Sequence, residues 1–502
     1  MTDFTMKVGD NGVAIITWDV KSKSMNVLSR EAFGDLEACI DEVLGNDDIK
    51  GAVITSGKDT FAGGMDLNVL GSIRADAGDE PAQALFDFTM MGHKFLRKIE
   101  RAGMDPKTNK GGKPIASALP GTALGIGLEL PLATHRIFAA DNPKAKIGLP
   151  EIMVGIFPGM GGTTRFIRMM GAMAASPFLL QGKMVDPKKA KAAGIIHEVV
   201  DDPVAAATEW VLSATDKDIL KPWDAKGYKM PGGEPYHPAG FMTYAGASAM
   251  VNGNTWGVYP AAKALLSAAY EGAQVPFDTA LKIEARWFVN VLMNPSSSAM
   301  IQSLFINKEA LEKGANRPDV PDQSVKKVGV LGAGMMGAGI ALVSAQAGMD
   351  VVLIDTSQEA ADRGKAYSET YLDKGIKRGK VTAEKKEAML GRINATTDLD
   401  NLSDVDLIIE AVFEDVGVKA EMTKKVEAII PEDAIFASNT STLPITGLAE
   451  ASVRKEQFIG IHFFSPVEKM ALVEIIKGKE TGDRAVAKAL DYVRQIRKTP
   501  IV

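Results

Sequence analysis

A chain of 502 residues exceeds one ordinary domain, and 46% hydrophobic with 24% charged residues is the balance of a folded globular protein. A formal charge of −6 without a concentrated basic stripe argues against nucleic acid as the main partner. The single cysteine, Cys39, excludes an intrachain disulfide framework and fits a reducing compartment such as the cytoplasm, and the amino terminus lacks the basic-then-apolar pattern of a secretory signal.

In chain order, VAIITW at 13–18 predicts a strand and 30–44 a helix. A second strand at 51–57 runs into FAGGMDL at 61–67, whose adjacent glycines let the backbone turn sharply and turn N–H groups toward a ligand. Residues 74–101 are helical in pattern, with Gly78, Asp79 and Pro81 predicting a loop in the first part. After a strand at 113–119 comes the most informative stretch, residues 121–162, glycine-studded and apolar, with Glu129 in the first turns of a helix and Glu151 in a loop. A carboxylate among Leu, Ile and Gly loses solvation, which raises its pKa toward the range where it both accepts and donates protons. Two such acids are either buried for structural reasons or able to move a proton on each side of a bond.

Beyond residue 162 the pattern is mostly helical, with short helices at 174–180 and 187–193. Residues 221–260, rich in Gly, Pro, Tyr and Trp, predict irregular loop, and 277–313 predict a long helix ending in a Pro-rich boundary. The uncharged segment 329–349 is long enough to cross a bilayer. Its glycines, following a strand-like run, instead predict strand, tight turn and helix. Gly332, Gly334 and Gly337 form G-x-G-x-x-G between strand and helix, and Asp355 ends the next strand. That unit predicts a dinucleotide site: the backbone at Gly332, Gly334, Met335, Met336 and Gly337 approaches a pyrophosphate, and Asp355 accepts from a ribose and repels a 2′-phosphate, favouring NAD. Further strands fall at 407–412, 434–437, 458–464 and 471–476, with a polar turn, SNTSTL, at 438–443. His462 and Glu474 lie on the last two strands, either as an oriented general base or as a core histidine with a partner. Alternating strands and helices predict an α/β fold. The five histidines are scattered without metal-ligand spacing, and G-x-S-x-G is absent, so metal catalysis and serine hydrolysis find no support.

These motifs together resemble the multifunctional α-subunit of bacterial fatty-acid β-oxidation, an enoyl-CoA hydratase fused to an NAD-dependent 3-hydroxyacyl-CoA dehydrogenase. FAGGMDL, the turn 121–129, LPE at 149–151 and PGMGGTTR at 158–165 carry the crotonase half; the glycine unit, SNTSTL and HFFSP at 462–466 carry the dehydrogenase half. The resemblance implies a crotonase-like ββα spiral over 1–200, a helical and loop extension with a linker helix over 201–320, and a Rossmann domain over 321–502. It also implies roles: Glu129 and Glu151 as the acid/base pair of hydration, the backbone N–H groups of Met65 and Ile126 as an oxyanion hole, and His462 as dehydrogenase base oriented by Glu474. Ser441 is then a substrate contact, and Glu414 and Lys419 lie beside cofactor and substrate. Acyl-CoA is the implied substrate and a thiolase β-subunit the implied partner.

Three departures from the family pattern stand out. Ile126 occupies a usual glycine position, so the local backbone must suit a β-branched residue. Ser465 stands where asparagine is common. The chain stops at KTPIV, 498–502, where the family continues with a helical domain, an expectation of truncation that predicts a weakened dehydrogenase. Enoyl-CoA isomerisation, which one glutamate can run, and a non-catalytic scaffold for acyl-CoA and NAD are the competing readings; the presence of both glutamates favours hydration.

Overall fold

The computed structural model describes residues 2–502, apart from the side chains of Leu67, Asn68, Leu70 and Arg74. The chain divides into two compact units, one ending at Phe305 and the other spanning Ile306–Val502.

The first unit is built on a six-stranded sheet of β1 (Phe4–Val8), β2 (Val13–Trp18), β3 (Gly51–Ser56), β4 (Ile115–Leu119), β6 (Arg136–Ala140) and β8 (Glu198–Val200), in that spatial order. Only β1 and β2 pair antiparallel; the other neighbours are parallel. The all-apolar reading of β4, IASAL, follows from its central place, because parallel strands covered on both faces have no solvent side. A short parallel pair, β5 (Ala123–Leu124) with β7 (Ile147–Gly148), stands apart from the main sheet. It ties together the two segments that carry Glu129 and Glu151. Helix Ile126–Ala133 packs on it and against helices Pro81–Arg101 and Gly162–Met170, which both pack on helix Phe277–Leu292.

Two expectations for this unit are corrected. Residues 221–260 are not all irregular: Pro238–Thr255 is a helix of 18 residues. Pro238 at its first position is pre-set for helix, the His237 ring nitrogen accepts from Ala239 N, and buried Gly240, Tyr244 and Val251 pack inward, with Tyr244 edge-on to Tyr270 of helix Pro260–Gly272. Tertiary packing here overrides the low intrinsic propensity of its glycines. The long helix expected over 277–313 is broken into Phe277–Leu292, Pro295–Ile301, the π-turn Gln302–Asn307 and Lys308–Glu312. Asn294 makes the first break by capping Ser296 N ahead of Pro295. Residues 74–101 likewise resolve into helices Leu67–Asp76 and Pro81–Arg101, with Pro81 starting the second.

The second unit holds an eight-stranded sheet in the order β11 (Ile393–Thr396), β10 (Asp350–Ile354), β9 (Lys327–Leu331), β12 (Leu407–Glu410), β13 (Ile435–Ser438), β14 (Phe458–Phe463), β15 (Leu472–Ile476), β16 (Thr499–Ile501). All pairs are parallel except β14 with β15. Strand order reverses on either side of β9, so the crevice at the carboxyl ends of β9 and β12 is the position where open α/β sheets bind ligands. The uncharged segment 329–349 resolves into β9, a tight turn and helix Met335–Gln346, and among the described residues no helix is long and apolar enough to cross a membrane.

Candidate functional site

In the first unit the backbone sets the site before the side chains do. Gly125 caps helix Ile126–Ala133 at φ 56°, ψ −129°, a conformation that a Cβ disfavours. A Cβ there would also stand 3.3 Å from Glu151 Oε1 and 3.5 Å from Gly64 Cα, so three separate segments converge on this glycine. The left-handed strain falls on Gly125, and Ile126 is an ordinary first helical residue, buried at 6% exposure and free of positive φ. Its β-branched side chain therefore does not deform the turn, and its N–H is one of the four a helix leaves without an intrahelical acceptor. Met65 forms a parallel bridge to Leu28 in which Leu28 N donates to Gly64 O and Asp66 N to Leu28 O, an arrangement that leaves the Met65 N–H off the ladder.

Glu129 lies one turn into that helix and is 2% exposed. Its Oε1 accepts from Met160 N at 2.9 Å and Gly162 N at 2.8 Å. Burial pushes this carboxyl up to about 7, against the pull of those two donors and of Arg165. Glu151 starts the 3-10 turn Glu151–Val154, and its buried Oε2 meets no hydrogen-bond partner among the described residues. Burial, reinforced by the Glu129 charge, holds its carboxyl well above the usual range. The two acids thus differ in their donors: Glu129 Oε1 accepts from two N–H groups of another segment, and Glu151 Oε2 from none among the described residues. Two desolvated carboxyls with unequal donors are what an acid and a base at one site require.

Two buried groups here escaped the sequence reading. Glu284, on helix Phe277–Leu292, accepts from Gly161 N and from Thr164 N and Oγ1. Arg165 is fully buried, donating from Nε to Glu100 at 2.9 Å and from Nη1 to Met160 O at 3.1 Å. The signal for Glu284 was an acid on the apolar face of a helix, among Ala280, Leu281, Ala285 and Phe288.

In the second unit Gly332, at φ 90°, turns the chain from β9 into helix Met335–Gln346. A Cβ on Gly337 would meet Gly332 O at 1.8 Å, so helix and turn pack as only glycine allows. Gly334 has open space where its Cβ would be, and the helix N-terminus behind it offers free N–H groups beside exposed Met335 and partly buried Met336. Asp355 directly follows β10, with Oδ2 accepting from Ala333 N at 2.7 Å, which holds the carboxylate at the turn. These features fit a dinucleotide: a glycine turn with open space at Gly334, a positive helix end and an acid after the next strand.

His462 and Glu474 face each other in the antiparallel pairing of β14 and β15, with Nδ1 2.7 Å from Glu474 Oε2. A carboxylate accepting from Nδ1–H leaves Nε2 as the free basic nitrogen. Glu414 accepts from Thr440 Oγ1 at 2.5 Å and Ser441 N at 3.1 Å, and its Oε2 is 3.2 Å from Lys419 Nζ; these partners hold its carboxyl below the usual value despite partial burial. Lys419, buried, also donates to Glu410 at 2.8 Å, a carboxylate that receives Val412 N and Ser438 Oγ as well. Sequence reading missed Glu410, which looks like one more residue of an apolar strand. Together these contacts bring Glu414, Lys419 and Ser441 to the carboxyl ends of β12 and β13. Asn439 Oδ1 accepts from Phe463 N, fastening that turn beside His462. Ser465 Oγ lies 3.7 Å from Met335 Sδ, next to the glycine turn.

Residues 9–217 match the family enoyl-CoA hydratase/isomerase, and residues 327–502 match 3-hydroxyacyl-CoA dehydrogenase, NAD binding domain. The fatty acid oxidation complex subunit alpha of Shewanella amazonensis is 33% identical over 99% of this chain and 69% of its own length. That of Shewanella loihica is 35% identical over the same shares. Among solved structures, (S)-3-hydroxybutyryl-CoA dehydrogenase from Ralstonia eutropha is 42% identical over 36% of this chain and 63% of that chain, with a TM-score of 0.35. With both halves matched in order and the alignment running almost end to end, the chain belongs to the family of fatty acid oxidation complex alpha subunits, enzymes that join an enoyl-CoA hydratase to an NAD-dependent 3-hydroxyacyl-CoA dehydrogenase.

Proposed function

We propose that the first unit adds water across the double bond of a trans-2-enoyl-CoA, with Glu129 as base and Glu151 as acid. The observation that carries this reading is a pair of desolvated carboxyls, one with two backbone donors and one with an unpartnered oxygen, at the Gly125 turn that precedes Ile126 and meets Gly64, the neighbour of Met65. Glu129, held by two backbone donors, takes a proton from water as its oxygen bonds to C3. Glu151 gives its proton to C2. The charge that gathers on the thioester oxygen is met by the Met65 and Ile126 N–H groups, fixed donors that need no reorganisation. Substituting Glu151→Gln tests it: hydration should fall by about 10²–10⁴-fold with acyl-CoA affinity unchanged, and a rate near wild type would refute the assignment.

The second unit then oxidises the 3-hydroxyacyl-CoA. NAD, when bound, accepts the hydride from C3; Gly332, Gly334, Met335, Met336, Gly337 and Asp355 are the residues that would hold it. Nε2 of His462 takes the hydroxyl proton, while Glu474 keeps Nδ1 protonated and steadies the imidazolium. Ser441 contacts the substrate, and Glu414 and Lys419 line the same turn. The names of the relatives, each a subunit alpha of a complex, support a second subunit as partner, which we assign as a thiolase that cleaves the 3-ketoacyl product. A cytoplasmic setting fits a chain with one cysteine.

A further inference from the structure

The turn 159–164 serves two carboxylates at once. Its N–H groups are divided between them: Met160 and Gly162 donate to Glu129, while Gly161 and Thr164 donate to Glu284. The Thr164 hydroxyl adds a third contact to Glu284 Oε2 at 2.6 Å. Glu284 is 1% exposed and belongs to the apolar face of helix Phe277–Leu292. A carboxyl is costly to keep there, and helix packing alone is served as well or better by an apolar side chain of similar size.

His93, on helix Pro81–Arg101, grips the same turn from another side, its Nε2 2.7 Å from Gly159 O and 4.0 Å from Glu284 Oε1. A carbonyl only accepts, so Nε2 carries the proton, and burial pushes the imidazole down to about 4, leaving it neutral. The titratable and charged groups around Glu284 are therefore neutral His93, Glu129 on helix Ile126–Ala133, Glu151 on its 3-10 turn and Arg165 on helix Gly162–Met170.

We propose that Glu284 is a positioning residue for hydration: it fixes the turn 160–164 so that Met160 and Gly162 hold the Glu129 carboxylate in one orientation. The proposal rests on the reading of Glu129 and Glu151 as the hydration pair. Glu284 acts through backbone and touches no reacting atom. Burial and the Glu129 charge push the Glu284 carboxyl itself up to about 8, so its negative charge opposes ionisation of Glu151 only above that pH, where the high-pH limb lies.

The test is Glu284→Gln. A glutamine has one accepting oxygen and an NH2 end that only donates, so it cannot receive both Gly161 N and the Thr164 pair, and the turn must shift. Hydration kcat per folded molecule should fall by about 10- to 100-fold with KM little changed. The high-pH limb of the kcat profile should move to lower pH. A lowered Tm with unchanged kcat and an unmoved limb would reduce Glu284 to a packing residue and overturn the proposal. Should Glu284→Gln fail to fold, Thr164→Val and Thr164→Ser take its place: the valine should lower kcat severalfold and the serine, which keeps the hydroxyl, should restore it. Equal kcat in both overturns the proposal too. Glu151→Gln, measured alongside, separates the two claims, because hydration surviving in that variant defeats the hydratase reading itself, whereas its loss beside an unaltered Glu284→Gln defeats only the positioning role.

Discussion

Glu129 and Glu151 show how neighbours give one residue type two tasks. Both carboxyls are desolvated, but Glu129 accepts from the Met160 and Gly162 N–H groups, which pull against burial and leave it at about 7, whereas burial and the Glu129 charge hold the half-buried Glu151 well above the usual carboxylate range. The sign of the pH dependence follows. Glu129 must be ionised, so hydration should rise with pH through about 7. Glu151 must be protonated, so the rate should fall again at higher pH. A bell-shaped profile of kcat/KM, measured by loss of the enoyl absorbance, checks this; a rate flat from acid to neutral pH would mean that Glu129 is not the base. That the two acids are desolvated was legible from the Leu, Ile and Gly around them. Their unequal donors were not, because these lie 31 and 33 residues away in sequence.

At the scale of elements, the strand-to-helix turns carry both chemistries. Ile126 is tolerated in the first because the left-handed conformation falls on Gly125, one residue earlier, so the family's glycine at this position is not required by the backbone of this chain. Ile126→Gly should therefore keep hydration of a short 2-enoyl-CoA within a fewfold of wild type while costing about 3 kcal/mol of stability, from the lost buried side chain and the weaker helix former. Unfolding curves and initial rates on the same sample decide it. In the second turn the packing has no slack: Gly337→Ala places a Cβ 1.8 Å from Gly332 O, and NAD affinity by titration should fall more than about tenfold. This turn was readable because its glycines, strand and acid obey a local spacing. The helix Pro238–Thr255 was not, since its Gly and Tyr content speaks for loop and only packing against helix Pro260–Gly272 makes it helical.

Across the whole molecule, a mostly parallel sheet with a short strand pair beside it positions Glu129 and Glu151, and a doubly wound sheet with one antiparallel hairpin places a histidine opposite its carboxylate. The pairing of His462 with Glu474 could be proposed from two apolar strands but not established, because strand register is a tertiary property; a slip of one residue would put the two side chains on opposite faces. Buried Glu284 and Glu410 stayed hidden for a related reason, since each is one acid in an apolar run whose partners come from other segments. The order of the two chemistries is the central claim. It is tested most directly by giving the protein a 2-enoyl-CoA with NAD and following enoyl absorbance and NADH separately, in wild type and in His462→Gln. The account predicts loss of the enoyl signal in both and slow formation of NADH, after a lag, only in wild type. An enoyl signal that persists in wild type, or NADH formed undiminished by the His462 variant, would contradict it.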